Sequence, residues 1–303
     1  MKVTKIPVIL DTDIGLDIDD TWALGLLLKC PELDVKLITT TTGNTLIKTK
    51  IAAKFLETTG FFDIPIGMGV PDSRYKGPQA PWVKQYDLSQ YPGKIYESCI
   101  EVLCSTIIES SFPVTLIGTG PLGNIAEALR FNKNILQNAC FVSMCGSIRF
   151  GYEGKPGQIA EYNVMSNISA CKNVFQAKWE KTITPLDSCG NIVLSGKNFK
   201  QFMSSDNPIV NAIKENYEIW VNSPSIRRLM NSDTKEKRSS ILFDTIAIYL
   251  AFSEDLLNIE NLKIEVTDTG LTKISDNGNE VRCATSWKDV QAFKDLMVHR
   301  LIN

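Results

Sequence analysis

Short apolar runs alternate with longer helical patterns through the first two-thirds of the chain. That alternation predicts an α/β fold: a mainly parallel central sheet with helices on both faces. Strands are expected at residues 6–10, 35–39, 64–68, 114–117, 140–144 and 181–184. Between them, the spacing of apolar positions predicts helices over 22–28, 45–59, 94–110, from the 118–124 turn to 129, and over 170–177. Gly60 closes the second of these, where a helix end favours a residue free to adopt positive φ. Beyond Ser188 the pattern becomes helical at 197–203, 209–220 and 241–252, then β-rich over 262–284, then helical again over 288–301. No internal repeat or low-complexity linker interrupts the 303 residues, so residues 1–303 are expected to form a single domain.

Composition narrows the class of molecule. With 44% hydrophobic and 22% charged residues the chain can bury a sizeable core, and a net charge of -2 leaves no electrostatic footprint for nucleic acid. The densest basic run, Lys235, Lys237 and Arg238, is broken by Glu236 and reads as a solvated loop. The N-terminal apolar run contains Pro7 and ends in aspartates, so it lacks the apolar centre of a signal peptide, and no stretch is long enough to span a bilayer. Eight cysteines are scattered without Cys-x-x-Cys pairs, which predicts buried free thiols in a reducing, cytoplasmic setting. The single histidine, His299, falls near the end of the last helix and is expected to be structural or exposed.

Charge patterning changes the picture at one place. Five aspartates, Asp11, Asp13, Asp17, Asp19 and Asp20, follow the first apolar run within ten residues, and Gly15 supplies a turn among them. Helix capping accounts for one or two carboxylates at such a position, not five. A helical-hand calcium loop is excluded, because counting from Asp11 its twelfth position is Trp22 instead of glutamate. The remaining reading is a divalent cation held at the carboxyl end of a strand, where open α/β sheets place their ligands. Further chemistry recurs where expected strands end, at Asn44, Thr119, Glu161 and Asn163, and Asp244 lies inside the apolar run 241–250. A carboxylate there must cap the helix, be paired, or bind a metal.

The motifs Asp11-Thr12-Asp13-Ile14-Gly15-Leu16-Asp17-Ile18-Asp19-Asp20, Thr42-Gly43-Asn44, Thr119-Gly120-Pro121-Leu122-Gly123-Asn124, Glu161-Tyr162-Asn163 and Phe243-Asp244 stand in this order over most of the chain. In that arrangement the sequence resembles the inosine-uridine-preferring nucleoside hydrolase family. The resemblance implies Ca²⁺-dependent hydrolysis of the N-glycosidic bond of ribonucleosides, with Asp13, Asp20, the carbonyl of Thr119 and Asp244 as ligands. It further implies that Asp19, Asn44, Glu161 and Asn163 grip the ribose, that Asp13 serves as base toward a metal-bound water, and that Asn163 shares in catalysis by stabilising developing charge. Asp11 would support the ligands from behind, and a homo-dimer or homo-tetramer is implied as well.

Two departures from the family pattern are visible. Two extra residues precede the Asp19-Asp20 pair, which leaves Asp17 without an assigned role. Many members carry a histidine before the late aspartate to protonate the leaving base, and here Phe243 stands in that place. Trp82, in a loop over 71–92 that reads as either lid or connector, and Phe243 are therefore expected to contact the base, with Tyr86 or Lys155 as alternative acids and Gln158 as a stand-in for a missing amide. Two rival readings are a non-catalytic nucleoside or ribose sensor that keeps the metal site and a haloacid-dehalogenase-like phosphatase. The latter expects Thr or Val where Gly15 stands.

Overall fold

Val8, Ile9 and Leu10 are all fully buried because they belong to the middle of a sheet covered on both faces. Side chains alternate along a strand, so Ile9 joins one apolar cluster while Val8 and Leu10 join the other. The computed structural model describes residues 4–228 and 237–303. Its ten strands, β1 (Ile6–Thr12), β2 (Leu33–Thr40), β3 (Ile66–Met68), β4 (Ile95–Tyr96), β5 (Val114–Gly118), β6 (Ala139–Met144), β7 (Lys181–Thr184), β8 (Leu257–Val266), β9 (Thr272–Ile274) and β10 (Asn279–Trp287), form one sheet in the order β4-β3-β2-β1-β5-β6-β7-β10-β8-β9. Pairing is parallel from β4 through β10; β8 and β9 add antiparallel pairs at one edge.

The chain runs outward from β1 through β2 and β3 to β4, then returns to β5 on the other side of β1. At such a reversal the connections leave in opposite directions and open a crevice at the carboxyl ends of the strands. One face of the sheet packs under α1 (Asp19–Leu28), α2 (Thr45–Thr59) and the later helices, while α3 (Cys99–Ile108), α4 (Gly123–Phe131) and two short helices, α5 (Tyr162–Ser166) and α6 (Ile168–Gln176), follow the strands of the central half. The later helices are α7 (Leu186–Cys189), α8 (Gly196–Met203), α9 (Pro208–Val221), α10 (Pro224–Arg227), α11 (Thr245–Leu250) and α12 (Val290–Ile302). Trp22 of α1 stacks on Phe202 of α8 with ring centroids 4.0 Å apart, which locks the first helix to the second half of the chain.

Two expected helices are shorter than their apolar patterns. The 94–110 helix is replaced by β4, whose Ile95 and Tyr96 pair with β3, followed by α3 starting after Ser98. The 241–252 helix is reduced to α11, because the chain before it is drawn alongside residues 192–194: Leu242 N–H donates to the Ile192 carbonyl and Ser239 N–H to that of Leu194. The β-rich region is wider than 262–284, since β8 begins at Leu257 and β10 ends at Trp287. All eight cysteines are free thiols, seven of them buried. No helix among the described residues is long and apolar enough to cross a membrane. Lys235 and Glu236 of the basic run lie outside the described residues, and Lys237 and Arg238 are exposed.

Candidate active site

The aspartate turn is shaped by backbone bonds before any ligand is considered. Gly15 has φ +103°, and a side chain there would also meet Ile51 Cδ1 at 2.8 Å. Thr12 Oγ1 accepts from Ile14 N–H at 3.1 Å, Asp17 Oδ1 accepts from Ile18 N–H at 2.6 Å, and Lys48 Nζ donates to the Asp13 carbonyl. α1 begins at Asp19, with no side-chain cap at Ile18, so the pair Asp19-Asp20 occupies the positive end of the helix. Asp17 lies in the turn just before it.

The carboxylate oxygens of Asp19, Asp20 and Asp244 lie within 4.8 Å of one another, and all three residues are buried. Asp13, also buried, lies within hydrogen-bonding reach of Asp20, as Asp19 does of Asp244. The four acids thus form one cluster, with Asp19 nearer the tight triad than the resemblance implies and Asp13 beside it. Asp244 is not inside a helix; it occupies the cap position of α11 and its side chain caps no backbone group. That leaves the carboxylate free to face Asp19. Asp20 Oδ1 accepts from Thr119 Oγ1 at 2.9 Å and from Thr12 Oγ1 at 2.5 Å.

None of the ion pairs among the described residues includes any of these four aspartates. Burial and mutual repulsion push Asp19, Asp20 and Asp244 far above the usual carboxylate range, and burial raises Asp13 as well, against the pull of nearby Lys48. Burial also raises Asp17 to about 6. A cluster of this kind is strongly unfavourable when fully ionised, and hard oxygen donors around a divalent cation relieve it.

A cavity of about 510 Å³ opens above the cluster. Its acidic floor includes Asp13, Asp17, Asp19, Asp20, Glu161 and Asp244; its rim is Leu16, Tyr75, Pro78, Tyr152, Tyr162, Ile226 and Phe243. Glu161 caps α5, its carboxylate accepting from the N–H groups of Asn163 at 2.7 Å, Gly146 at 2.9 Å and Val164 at 3.3 Å; burial still raises it to about 7. Asn163 Nδ2 donates to the carbonyls of Thr119 at 2.9 Å and Met144 at 3.1 Å, which fixes the amide at the floor. Gly120 permits the close approach of the β5 turn: a Cβ there would lie 2.9 Å from Asp13 Cβ.

Asp11 does not line the cavity. Its Oδ1 accepts from Thr39 Oγ1 at 2.5 Å and Asn124 Nδ2 at 2.8 Å, and its carbonyl accepts from Thr119 N–H at 2.9 Å, so it clamps β2, α4 and the β5 turn behind the acid cluster. Thr119, Glu161, Asn163 and Phe243 line the cavity. Asn44 and Trp82 do not line it. Asn44 instead caps α2 by accepting from Ile47 N–H, and Trp82 is packed in the core with Nε1 donating to Glu215 at 3.0 Å and Lys54 over its ring. Tyr86 donates to Glu57, Lys155 pairs with Glu153 on the surface, Gln158 bonds the carbonyls of Ser147 and Thr272, and His299 is exposed on α12.

Gln79 carries no periodicity or motif signal, yet it is fully buried and holds the 71–92 loop down. Its Nε2 donates to the Asp17 carbonyl at 2.6 Å and its Oε1 accepts from Thr21 Oγ1 at 2.9 Å. Two residues earlier, Gly77 has φ +78° and a Cβ there would come 2.3 Å from the Gly15 carbonyl oxygen. The loop is therefore seated on the aspartate turn and presents Tyr75 and Pro78 at the rim.

The chain is similar to several known proteins. The pyrimidine-specific ribonucleoside hydrolase RihA of Citrobacter koseri is 29% identical over 230 residues, 69% of each chain, and that of Salmonella arizonae is 30% identical over 230 residues, 69% of this chain and 70% of its own. Among solved structures, the plant nucleoside hydrolase PpNRh1 matches 99% of both chains with a TM-score of 0.80 at 21% identity. A purine-preferring ribonucleoside hydrolase from Gardnerella vaginalis covers 97% of this chain and 98% of its own with a TM-score of 0.77 at 20% identity, which likewise speaks for the fold. The family model described as inosine-uridine preferring nucleoside hydrolase matches residues 8–295, and with it this chain belongs to that family.

Proposed function

We propose that the chain hydrolyses the N-glycosidic bond of ribonucleosides with Ca²⁺ held at the aspartate cluster. The observation that carries this reading is the buried group Asp19, Asp20 and Asp244, with Asp13 alongside and no ion pair to any of their carboxylates among the described residues. An all-oxygen donor set with flexible carboxylates fits Ca²⁺, and Asp13, Asp20, Asp244 and the Thr119 carbonyl would hold it. When bound, Ca²⁺ neutralises the floor and makes water a stronger acid.

Asp13 receives the proton of the attacking water at a carboxylate oxygen. Asp19, Glu161 and Asn163 hold the ribose hydroxyls. Glu161 keeps its orientation through three backbone N–H groups, and its charge stabilises the positive charge that develops on the ribose ring as the bond to the base lengthens. The flat base then lies toward Tyr152, Tyr162 and Phe243, where the cavity is aromatic. A homo-dimer or homo-tetramer belongs to this reading through the family likeness alone.

The test is incubation of the purified chain with a panel of purine and pyrimidine ribonucleosides, with Ca²⁺ and with chelator, following free base and ribose. Release of both that stops in chelator is expected. Binding without release would mark a sensor, and phosphate release from sugar phosphates without base release would mark a phosphatase; either outcome overturns the reading.

A further inference from the structure

In the reaction proposed above, the carboxylates and the Asn163 amide of the floor are assigned to the cation, the water and the sugar, which leaves the departing base without a hydrogen-bond donor. Phe243 stands on the aromatic side and has no polar atom beyond its backbone. Its ring meets that of Tyr152 edge-on, with centroids 5.7 Å apart and planes at 84°. Tyr152 lines the same cavity and is half-buried.

We infer that the Tyr152 hydroxyl is the hydrogen-bond donor to the leaving base, held in place by the ring of Phe243. The inference rests on the hydrolase reading above. Tyr152 Oη accepts from Tyr162 N–H at 3.3 Å and donates no hydrogen bond to any described residue, so its proton is available to the cavity. The alternatives on the rim are more exposed: Tyr75 is 57% and Tyr162 48% accessible. Burial raises the Tyr152 phenol to about 12, which keeps it a neutral donor across the working range.

The turn that carries Tyr152 is built to hold it. Glu153 N–H donates to the Gly190 carbonyl at 2.9 Å, Gly151 N–H to that of Lys155 at 2.8 Å, and Gly157 N–H to that of Arg149 at 2.9 Å. The backbone at Glu153 and Gly154 is left-handed, with φ of 61° and 69°, so the chain doubles back and lays the Tyr152 ring beside Phe243.

Chemically the role is a polarising one. As the C1′–N bond breaks, its electron pair passes to the base, and the base's ring nitrogens or carbonyl oxygens take up the charge. The Tyr152 O–H hydrogen-bonds to that charge and keeps its proton; the released base is protonated by solvent, and the proton of the attacking water leaves through Asp13. Atoms and charge balance as nucleoside plus water giving ribose plus base.

The experiment compares Tyr152→Phe with the parent on inosine and uridine and on 4-nitrophenyl β-D-ribofuranoside, whose leaving group needs no assistance. The kcat ratio of natural nucleoside to nitrophenyl riboside is expected to fall about 10- to 100-fold, the scale of a hydrogen bond to a charged acceptor, with the melting temperature unchanged. Phe243→Leu, which keeps the hydroxyl but removes its edge-on support, should lower the same ratio by a smaller factor. An unchanged ratio in Tyr152→Phe, whether both rates hold or both fall together, overturns the assignment. A parent inactive on both substrates instead removes the hydrolase reading on which the role depends.

Discussion

Charges on the antiparallel edge and charges on the cavity floor are handled in opposite ways. At the antiparallel edge, acids meet cations: Arg149 forks onto Glu260 of β8 at 2.7 and 2.9 Å, and Arg282 of β10 bridges Glu180 and Glu254. On the floor, Asp13, Asp19, Asp20 and Asp244 are packed together with no such partner among the described residues. Even Lys48, buried beside them, gives its ammonium to the Asp13 carbonyl. The edge spends charge on local geometry that matters little to stability. The floor holds charge in an unfavourable state that binding relieves, which is how a folded protein stores affinity for a cation.

The contrast is broken most strongly at Asp13. Asp13→Asn is expected to fold with little change yet lose at least ~10³-fold in turnover, the scale of removing a general base and a metal ligand together. Steady-state kinetics with each ribonucleoside measures it, and near-normal activity would remove Asp13 from its assigned role.

A second test uses pH and probes the buried acids at and behind the floor. Asp11 and Glu161 are raised by burial to about 7, against ordinary values of 3.8 and 4.5, so between those limits the folded chain binds protons that the unfolded chain releases. Stability in chelator should therefore be highest at low pH within this window and decline as pH climbs from about 4 to about 7, each group contributing on the order of a few kcal/mol. Denaturant melts across that range report it. Saturating Ca²⁺ should flatten the decline and raise stability by about 2.7 kcal/mol at a hundredfold excess over its Kd. Stability that rises with pH in chelator would show that the floor is not held in the strained state described.

The smallest effect is expected on the edge. Arg149→Gln should cost about 0.2–1 kcal/mol and leave turnover within twofold, because both partners of its ion pair are substantially exposed. A larger loss of activity would mean that the edge feeds into the site.

How much of this was legible in the sequence follows the same division. Strands such as Lys181–Thr184 and the helix Thr45–Thr59 match their expected bounds, since apolar period and a terminal glycine are local signals. The acid cluster was legible because five carboxylates in ten residues have no other economical explanation. Asp244 stood out as a carboxylate in an apolar run, but its place at the start of a helix was not legible: an unbroken apolar run over 241–250 hides the backbone bonds to residues 192–194 that delay the helix. Trp82 and Asn44 read as substrate contacts because aromatic and amide residues are equally suited to a core or a cap, and only tertiary packing decides. Gln79, Tyr152 and Ile226 lie in turns or short helices, with no pattern to indicate which side chains face inward.

Gln79 also joins two things usually considered apart. One side-chain amide connects the carbonyl of Asp17, the hydroxyl of Thr21 and the loop that presents Tyr75 and Pro78. On the proposed reading, contact with the base at the rim and binding of the cation at the floor would therefore share a backbone. Exchanging the 71–92 loop is then not a modular operation: any replacement must bring its own counterpart to Gln79 and a glycine where Gly77 passes Gly15, or it disturbs the aspartate turn beneath it.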